Sequence, residues 1–116
     1  MKYKAIVIGS SAGGLNALRT ILTMLGSDFK IPIIIVQHTS PSSDNYITTY
    51  LDELCGLRVK EADEKEIIVN GHVYFAPPNF HLLVEENGTF SLSIDERINF
   101  ARPSIDVLFD TATYTF

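Results

Sequence analysis

The stretch IVIGSSAGGLNALRTIL, from Ile6 to Leu22, decides the fold class. It opens with β-branched residues that are apolar on both faces, which is typical of a strand buried in a parallel sheet. Small residues follow, and then leucines recur at spacings of three and four, which predicts an amphipathic helix that ends near Gly26. A strand that turns into a helix over glycine and serine is the first unit of an α/β fold.

The segments further along the chain repeat this alternation. IPIIIVQH, residues 31–38, has the pattern of a second buried strand, and an apolar stripe through Leu51 predicts a second helix that ends at Gly56. We therefore predict a doubly wound, mainly parallel α/β sheet of the Rossmann-like kind. Asn70-Gly71 and Asn87-Gly88 lie between extended runs and predict two β-hairpins. A last helix is predicted from Ser104, with its apolar face at Ile105, Leu108, Phe109 and Ala112.

Composition limits the kind of protein that carries these elements. With 116 residues and 46% hydrophobic content, the chain can bury one core, so we expect one domain over residues 1–116. The net charge of −5, with lysines and arginines spread out, argues against nucleic acid as a partner. Apolar runs are too short to insert in a membrane, and no signal peptide is apparent. Together with the single Cys55, these features predict a cytoplasmic protein.

The glycine and serine turn after the first strand has three interpretations. A Walker loop needs lysine where Leu15 stands, and a dinucleotide fingerprint needs a second glycine where Ser11 stands. An anion- or nucleotide-binding α/β domain stays open, because helix N-termini attract anions. Residues 9–13 also fit G-x-S-x-G, in which a sharp turn exposes a nucleophilic serine. The third interpretation is a tight corner without chemistry.

His38 favours the nucleophile interpretation. It ends the second predicted strand, and the carboxyl ends of neighbouring parallel strands line one crevice. Ser11 and His38 are therefore expected to face the same cleft, where the imidazole can accept the serine proton. Taken alone, each residue also has a purely structural interpretation. Together they indicate a serine hydrolase whose residue order differs from that of the α/β-hydrolases.

Four segments resemble the catalytic domain of the chemotaxis protein-glutamate methylesterase (CheB) family. They occur in the family's order and are IGSSAGG, IVQH, VKEADEKEIIVNGHVYFAPPNFHLLV and RPSIDVLF. The resemblance implies that Ser11 is the nucleophile and His38 the general base. It also makes the backbone N–H of Ala12 a candidate donor to the oxyanion.

The resemblance implies a carboxylic ester hydrolase of bacterial chemotaxis signalling. Its substrates are glutamate methyl esters on the cytoplasmic helices of chemoreceptors, and deamidation of receptor glutamines is a second implied reaction. The implied acyl transfer needs no metal or organic cofactor. The receptor helices are thus the implied partners, and a phosphorylation-controlled receiver domain is expected on another chain or in a segment outside this sequence.

One motif of the family pattern is not present in this sequence. The family's third catalytic residue is an aspartate in a glycine-rich turn after the RPSIDVLF segment, and the sequence ends at Phe116 before such a turn. We therefore expect residues 1–116 to be the N-terminal portion of a CheB-type catalytic domain, weakly active or inactive alone. The catalytic aspartate is expected beyond residue 116. A noncatalytic receptor-binding fragment is the alternative.

Overall fold

A computed structural model of the chain describes residues 5–10, 14–37, 46–78, 80–94, 108–109 and 111–112. It confirms the predicted fold class, because a mainly parallel sheet is flanked by helices and accompanied by a small hairpin. The elements in chain order are β1 (Ile6–Ser10), α1 (Leu15–Met24), β2 (Ile33–Gln37), α2 (Tyr46–Leu54), β3 (Arg58–Glu61), β4 (His72–Phe75), β5 (His81–Val84) and β6 (Phe90–Ser93).

The larger sheet has four parallel strands in the order β1-β2-β4-β3. Strand β2 lies inside this sheet, and all five of its residues are buried. Its β-branched side chains can be packed from both faces, which is why the strand reads as a continuous apolar run. The register aligns β1 with β2 from the pair Ile6 and Ile33 to the pair Ser10 and Gln37.

Two cores lie on opposite faces of this sheet. The helix-side core joins Leu18, Leu22 and Leu51 of the two helices to Ile33 and Ile35 of β2. The hairpin-side core contains the alternate β2 residues Ile34 and Val36, together with Tyr74, Leu82 and Phe90. Successive side chains of a strand point to opposite faces, so the two sets confirm that β2 is covered on both sides.

Both helices end where the sequence predicts. Helix α1 stops at Met24, just before Gly26, and α2 stops at Leu54, just before Gly56. The Asp52 carboxylate accepts a hydrogen bond from the backbone N–H of Val59 at 2.7 Å, which ties the end of α2 to β3. No helix within the described ranges is both long enough and apolar enough to cross a membrane.

The second predicted hairpin is confirmed. Strands β5 and β6 pair antiparallel around Asn87-Gly88, and the Glu85 N–H donates to the Thr89 carbonyl at 2.8 Å. Gly88 has a φ of 81°, a conformation that glycine adopts without a steric penalty.

The first predicted hairpin is wrong. Asn70-Gly71 forms a turn, but β4 after it pairs in parallel with β2 and β3. The residues before the turn are hydrogen-bonded to the β5–β6 hairpin. The Phe90 N–H donates to the Glu66 carbonyl, and the Ile68 N–H donates to the Gly88 carbonyl, both at 2.9 Å. The turn therefore directs the chain from one sheet to the other.

Strand β3 is an element that the sequence analysis did not predict. It contains Arg58, Lys60 and Glu61, and it joins β4 through residues 62–71 without a helix. Lys60 is held by Glu66 at 2.6 Å and by Asp63 at 3.1 Å. Burial lowers the pKa of Lys60, but these two carboxylates outweigh burial and leave the pKa raised.

The hairpin also contacts the helical residues near the end of the chain. The Val84 N–H donates to the Thr111 hydroxyl at 3.0 Å, and that hydroxyl donates to the Leu108 carbonyl at 3.0 Å. Leu108 and Ala112 are buried as predicted, whereas Phe109 is 42% exposed and does not lie on the buried face. The predicted helix start at Ser104, and Ile105 with it, lie outside the described residues.

Candidate active site

The carboxyl ends of β1 and β2 form the candidate site. Ser10 and Gln37 are the last residues of these strands and are aligned partners in the parallel register. Adjacent strands lie about 4.8 Å apart, so the chain leaves the sheet at two neighbouring points. In the sequence, Ser11 follows the first point and His38 the second. Ser11, Ala12 and His38 themselves lie outside the described residues, so their roles stay predictions.

Gly14 is the N-cap residue of α1, and its lack of a side chain has a specific cause. Its φ of −89° and ψ of −3° are open to any residue, so the backbone conformation does not require glycine. A Cβ atom at this position would instead collide with the Ser10 hydroxyl oxygen. The end of β1 and the start of α1 are therefore packed directly against each other.

Ser10 and Gln37 share the helix-side face of the sheet. Ile8 on β1 packs against the helix-side core, and Ile33 and Ile35 on β2 belong to it. Because side chains two residues apart share a face, Ser10 and Gln37 point to the same side as these isoleucines. Gln37 is only 5% exposed. Gln37 was not predicted as a site residue, although a polar residue that ends an otherwise apolar strand is a signal that the sequence shows.

Glu61 is an acidic residue at this edge of the sheet. It ends β3, where it is aligned with Phe75 at the end of β4. Partial burial, and to a lesser extent the charge of Asp63, raise the pKa of the Glu61 carboxyl above its ordinary value.

The other two histidines lie outside this group of strand ends. His72 begins β4, at the opposite edge of the sheet, and its ring stacks on Tyr74 with 5.8 Å between centroids. His81 begins β5 and is 2% exposed. Over the ranges that the structure describes, no three histidine, cysteine, aspartate or glutamate side chains are grouped so that they could hold a metal ion.

Comparison with known proteins identifies the family. A sequence model described as CheB methylesterase matches residues 6–116. The chain belongs to the CheB methylesterase family. The CheB fold is seen in the crystal structure of the Thermotoga maritima CheB methylesterase catalytic domain, which is 39% identical to this chain. It superposes with a TM-score of 0.90 over 97% of this chain and 61% of that one.

Curated CheB relatives extend well past the matched region. A relative from Leptospira interrogans is 58% identical over 116 residues, which are all of this chain and 60% of the relative. Proteins from Halalkalibacterium halodurans and Thermotoga maritima are named protein-glutamate methylesterase/protein-glutamine glutaminase. Each is 41% identical to this chain. The match to the Halalkalibacterium protein covers 93% of this chain and 32% of that protein, and the match to the Thermotoga protein covers 94% of this chain and 33% of that protein. The chain thus spans less than two thirds of the relatives it matches.

Proposed function

We propose that residues 1–116 form the N-terminal portion of the catalytic domain of a protein-glutamate methylesterase. The enzyme is a serine hydrolase that removes methyl esters from glutamates on the cytoplasmic helices of chemoreceptors, and it works in the cytoplasm. Deamidation of receptor glutamines is its second reaction. The observation that carries the proposal is the register that aligns Ser10 with Gln37, because the proposed nucleophile and base follow these residues directly. The names of the relatives point the same way.

The proposed reaction is an acyl transfer in two stages. His38 takes the proton of the Ser11 hydroxyl as that oxygen attacks the ester carbonyl, since serine is a weak nucleophile without a base. The tetrahedral intermediate collapses, the protonated imidazole returns the proton, and methanol leaves. His38 then activates a water molecule, which attacks the acyl-enzyme and releases the glutamate carboxylate.

Two further groups complete the proposed site. The Ala12 backbone N–H stabilises the oxyanion, and one such donor is commonly worth about 3 kcal/mol. An acid that orients the imidazole is assigned to a segment outside residues 1–116, and loss of such an acid lowers turnover about 10⁴-fold in serine proteases. These steps need no cofactor. A receiver domain supplied by another segment or chain is the proposed regulator.

The test replaces the matching region of the Leptospira interrogans relative with this chain, because 116 aligned residues at 58% identity define the junction. The hybrid, the parent relative and the 116-residue chain are each incubated with methyl-esterified chemoreceptor, and methanol release is measured. Ser11→Ala and His38→Ala are compared with Ser91→Ala, a control serine on the hairpin strand β6.

We expect methanol from the parent and the hybrid, little or none from the chain alone, and full activity in Ser91→Ala. Ser11→Ala and His38→Ala should each abolish release from the hybrid. A folded hybrid that releases no methanol, beside an active parent, would overturn the enzyme proposal. If that inactive hybrid still bound receptor, a noncatalytic receptor-binding segment would replace it. Binding of a nucleotide that Ser11→Ala leaves intact would instead favour the anion-binding alternative.

A further inference from the structure

We propose that Gln37 is a positioning residue of this active site, with Ser10 as its partner. The inference rests on the proposed function and deepens it. In this view, the buried amide of Gln37 fixes the two strand ends from which Ser11 and His38 continue. It touches neither the substrate nor the reacting atoms.

The first argument is the kind of residue that ends β2. Four of the five residues in this strand are isoleucine or valine, all are buried, and Gln37 is the polar exception at 5% exposed. Burying an amide is unfavourable unless its carbonyl and N–H groups are hydrogen-bonded, so packing alone favours an apolar residue here. An amide at this position therefore indicates that directional polar contacts are needed.

The second argument is the position of Gln37 within the sheet. It lies on the face of the sheet that α1 covers, directly across from Ser10. Aligned residues on one face of neighbouring strands are within side-chain reach of each other. The Ser10 hydroxyl in turn packs against Gly14 at the start of α1. Gln37, Ser10 and Gly14 thus connect the end of β2, the end of β1 and the start of α1.

These three points bracket the proposed chemistry. Ser11 and Ala12 lie in sequence between Ser10 and Gly14, and His38 follows Gln37. Attack by a serine requires the nucleophile, base and oxyanion donor to be held within a fraction of an ångström of productive geometry. In this proposal, a polar contact between the side chains of Gln37 and Ser10 supplies such support from residues that the sheet already fixes.

The test uses the active hybrid with Gln37→Leu and Gln37→Met, which both remove the amide and keep side-chain volume. Thr48→Val is the matched control, because Thr48 on α2 is also a buried polar residue, at 6% exposed, outside the strand ends. Three quantities are measured: kcat and KM for methanol release, the fraction of protein labelled at completion by a serine-directed fluorophosphonate, and the rate of that labelling.

We expect both Gln37 variants to lower kcat about tenfold, equivalent to about 1.4 kcal/mol, with KM changed less than about twofold. The labelled fraction should stay as in the unmodified hybrid while labelling slows. A purely structural role predicts the reverse, namely a smaller labelled fraction that reacts at the normal rate. Thr48→Val should leave kcat and the labelling rate unchanged.

A double-mutant cycle tests the partnership. Ser10→Ala should lower kcat by less than Gln37→Leu, and the double variant should lose less than the product of the two single losses, because both remove one contact. Unchanged kcat in both Gln37 variants, or a loss of kcat explained fully by the labelled fraction, would overturn this inference alone. An unmodified hybrid without activity would overturn the proposed function, and this inference with it.

Discussion

Gly14→Ala gives the sharpest test of the packing at the candidate site. The new Cβ would collide with the Ser10 hydroxyl oxygen, and the backbone of Gly14 would not resist the change. Overpacking of this kind costs about 1–3 kcal/mol. Replacing glycine also restricts the unfolded chain and returns about 0.4–1 kcal/mol. The net expectation is a loss of roughly 0–2.6 kcal/mol in the free energy of unfolding.

The same substitution should change sign in a Ser10→Ala background. Without the hydroxyl oxygen, the nearest Ser10 atom to the new Cβ is the Cβ of residue 10, at 3.5 Å, which is an ordinary contact. Only the unfolded-state term then remains, so Gly14→Ala should stabilise by about 0.4–1 kcal/mol.

Urea unfolding followed by circular dichroism, on the wild type, both single variants and the double variant, gives the coupling energy. We expect about 1–3 kcal/mol between positions 10 and 14. If Gly14→Ala costs the same in both backgrounds, the Ser10 contact is not the reason that residue 14 is glycine, and the reasoning fails.

Two further predictions concern single side chains. Tyr74→Phe should lower the free energy of unfolding by about 1–3 kcal/mol, because the Val69 N–H donates to the Tyr74 hydroxyl at 3.0 Å and would lose its acceptor. Tyr50 is exposed, so Tyr50→Phe should lower the free energy of unfolding by less than about 0.5 kcal/mol in the same urea titration. Equal losses in the Tyr74 and Tyr50 variants would contradict the role of the Val69 hydrogen bond. Glu61 has a raised folded-state pKa, so its stabilising contribution is present below the unfolded pKa and is lost as pH rises through the folded pKa. Glu61→Gln should therefore stabilise the protein by a few tenths of a kcal/mol at pH 7, and this gain should shrink below about pH 4; a gain that grows in acid would refute it.

Local patterns in the sequence were sufficient to predict the helix and the strand whose apolar residues recur at a regular spacing. The leucine stripe predicted for α1 places Leu18 and Leu22 in the helix-side core. The continuous apolar run predicted for β2 is buried on both faces of the sheet. The turn at Asn87-Gly88 also needed only local chemistry, since a three-residue loop that ends in a glycine with positive φ sets the pairing of the strands beside it.

Elements that depend on contacts with residues distant in sequence could not be predicted from local patterns. Strand β3 has a polar pattern because three of its four residues are charged, and the pairing of Lys60 with Glu66 and Asp63 is not visible in that pattern. Asn70-Gly71 has the same local signal as the true hairpin turn, yet β4 finds parallel partners far away in sequence. Ser11 and His38 were predicted from local motifs and stay predictions. Gln37 ends an apolar strand, which the sequence shows, but its alignment with Ser10 is known only from the register of the sheet.

The hydrogen bond from the Val84 N–H to the Thr111 hydroxyl makes the exchange rate of this amide depend on the contact between the hairpin and Thr111. The Val84 N–H points away from β6 and is held by the Thr111 hydroxyl, itself fixed on Leu108. Its hydrogen exchange with solvent water is slowed only while Leu108 and Thr111 stay against the hairpin, whereas amides between β5 and β6 are slowed by the hairpin itself. The exchange rate of the Val84 amide, divided by that of an amide bonded between β5 and β6, therefore measures how stably Leu108 and Thr111 are held against the hairpin in solution.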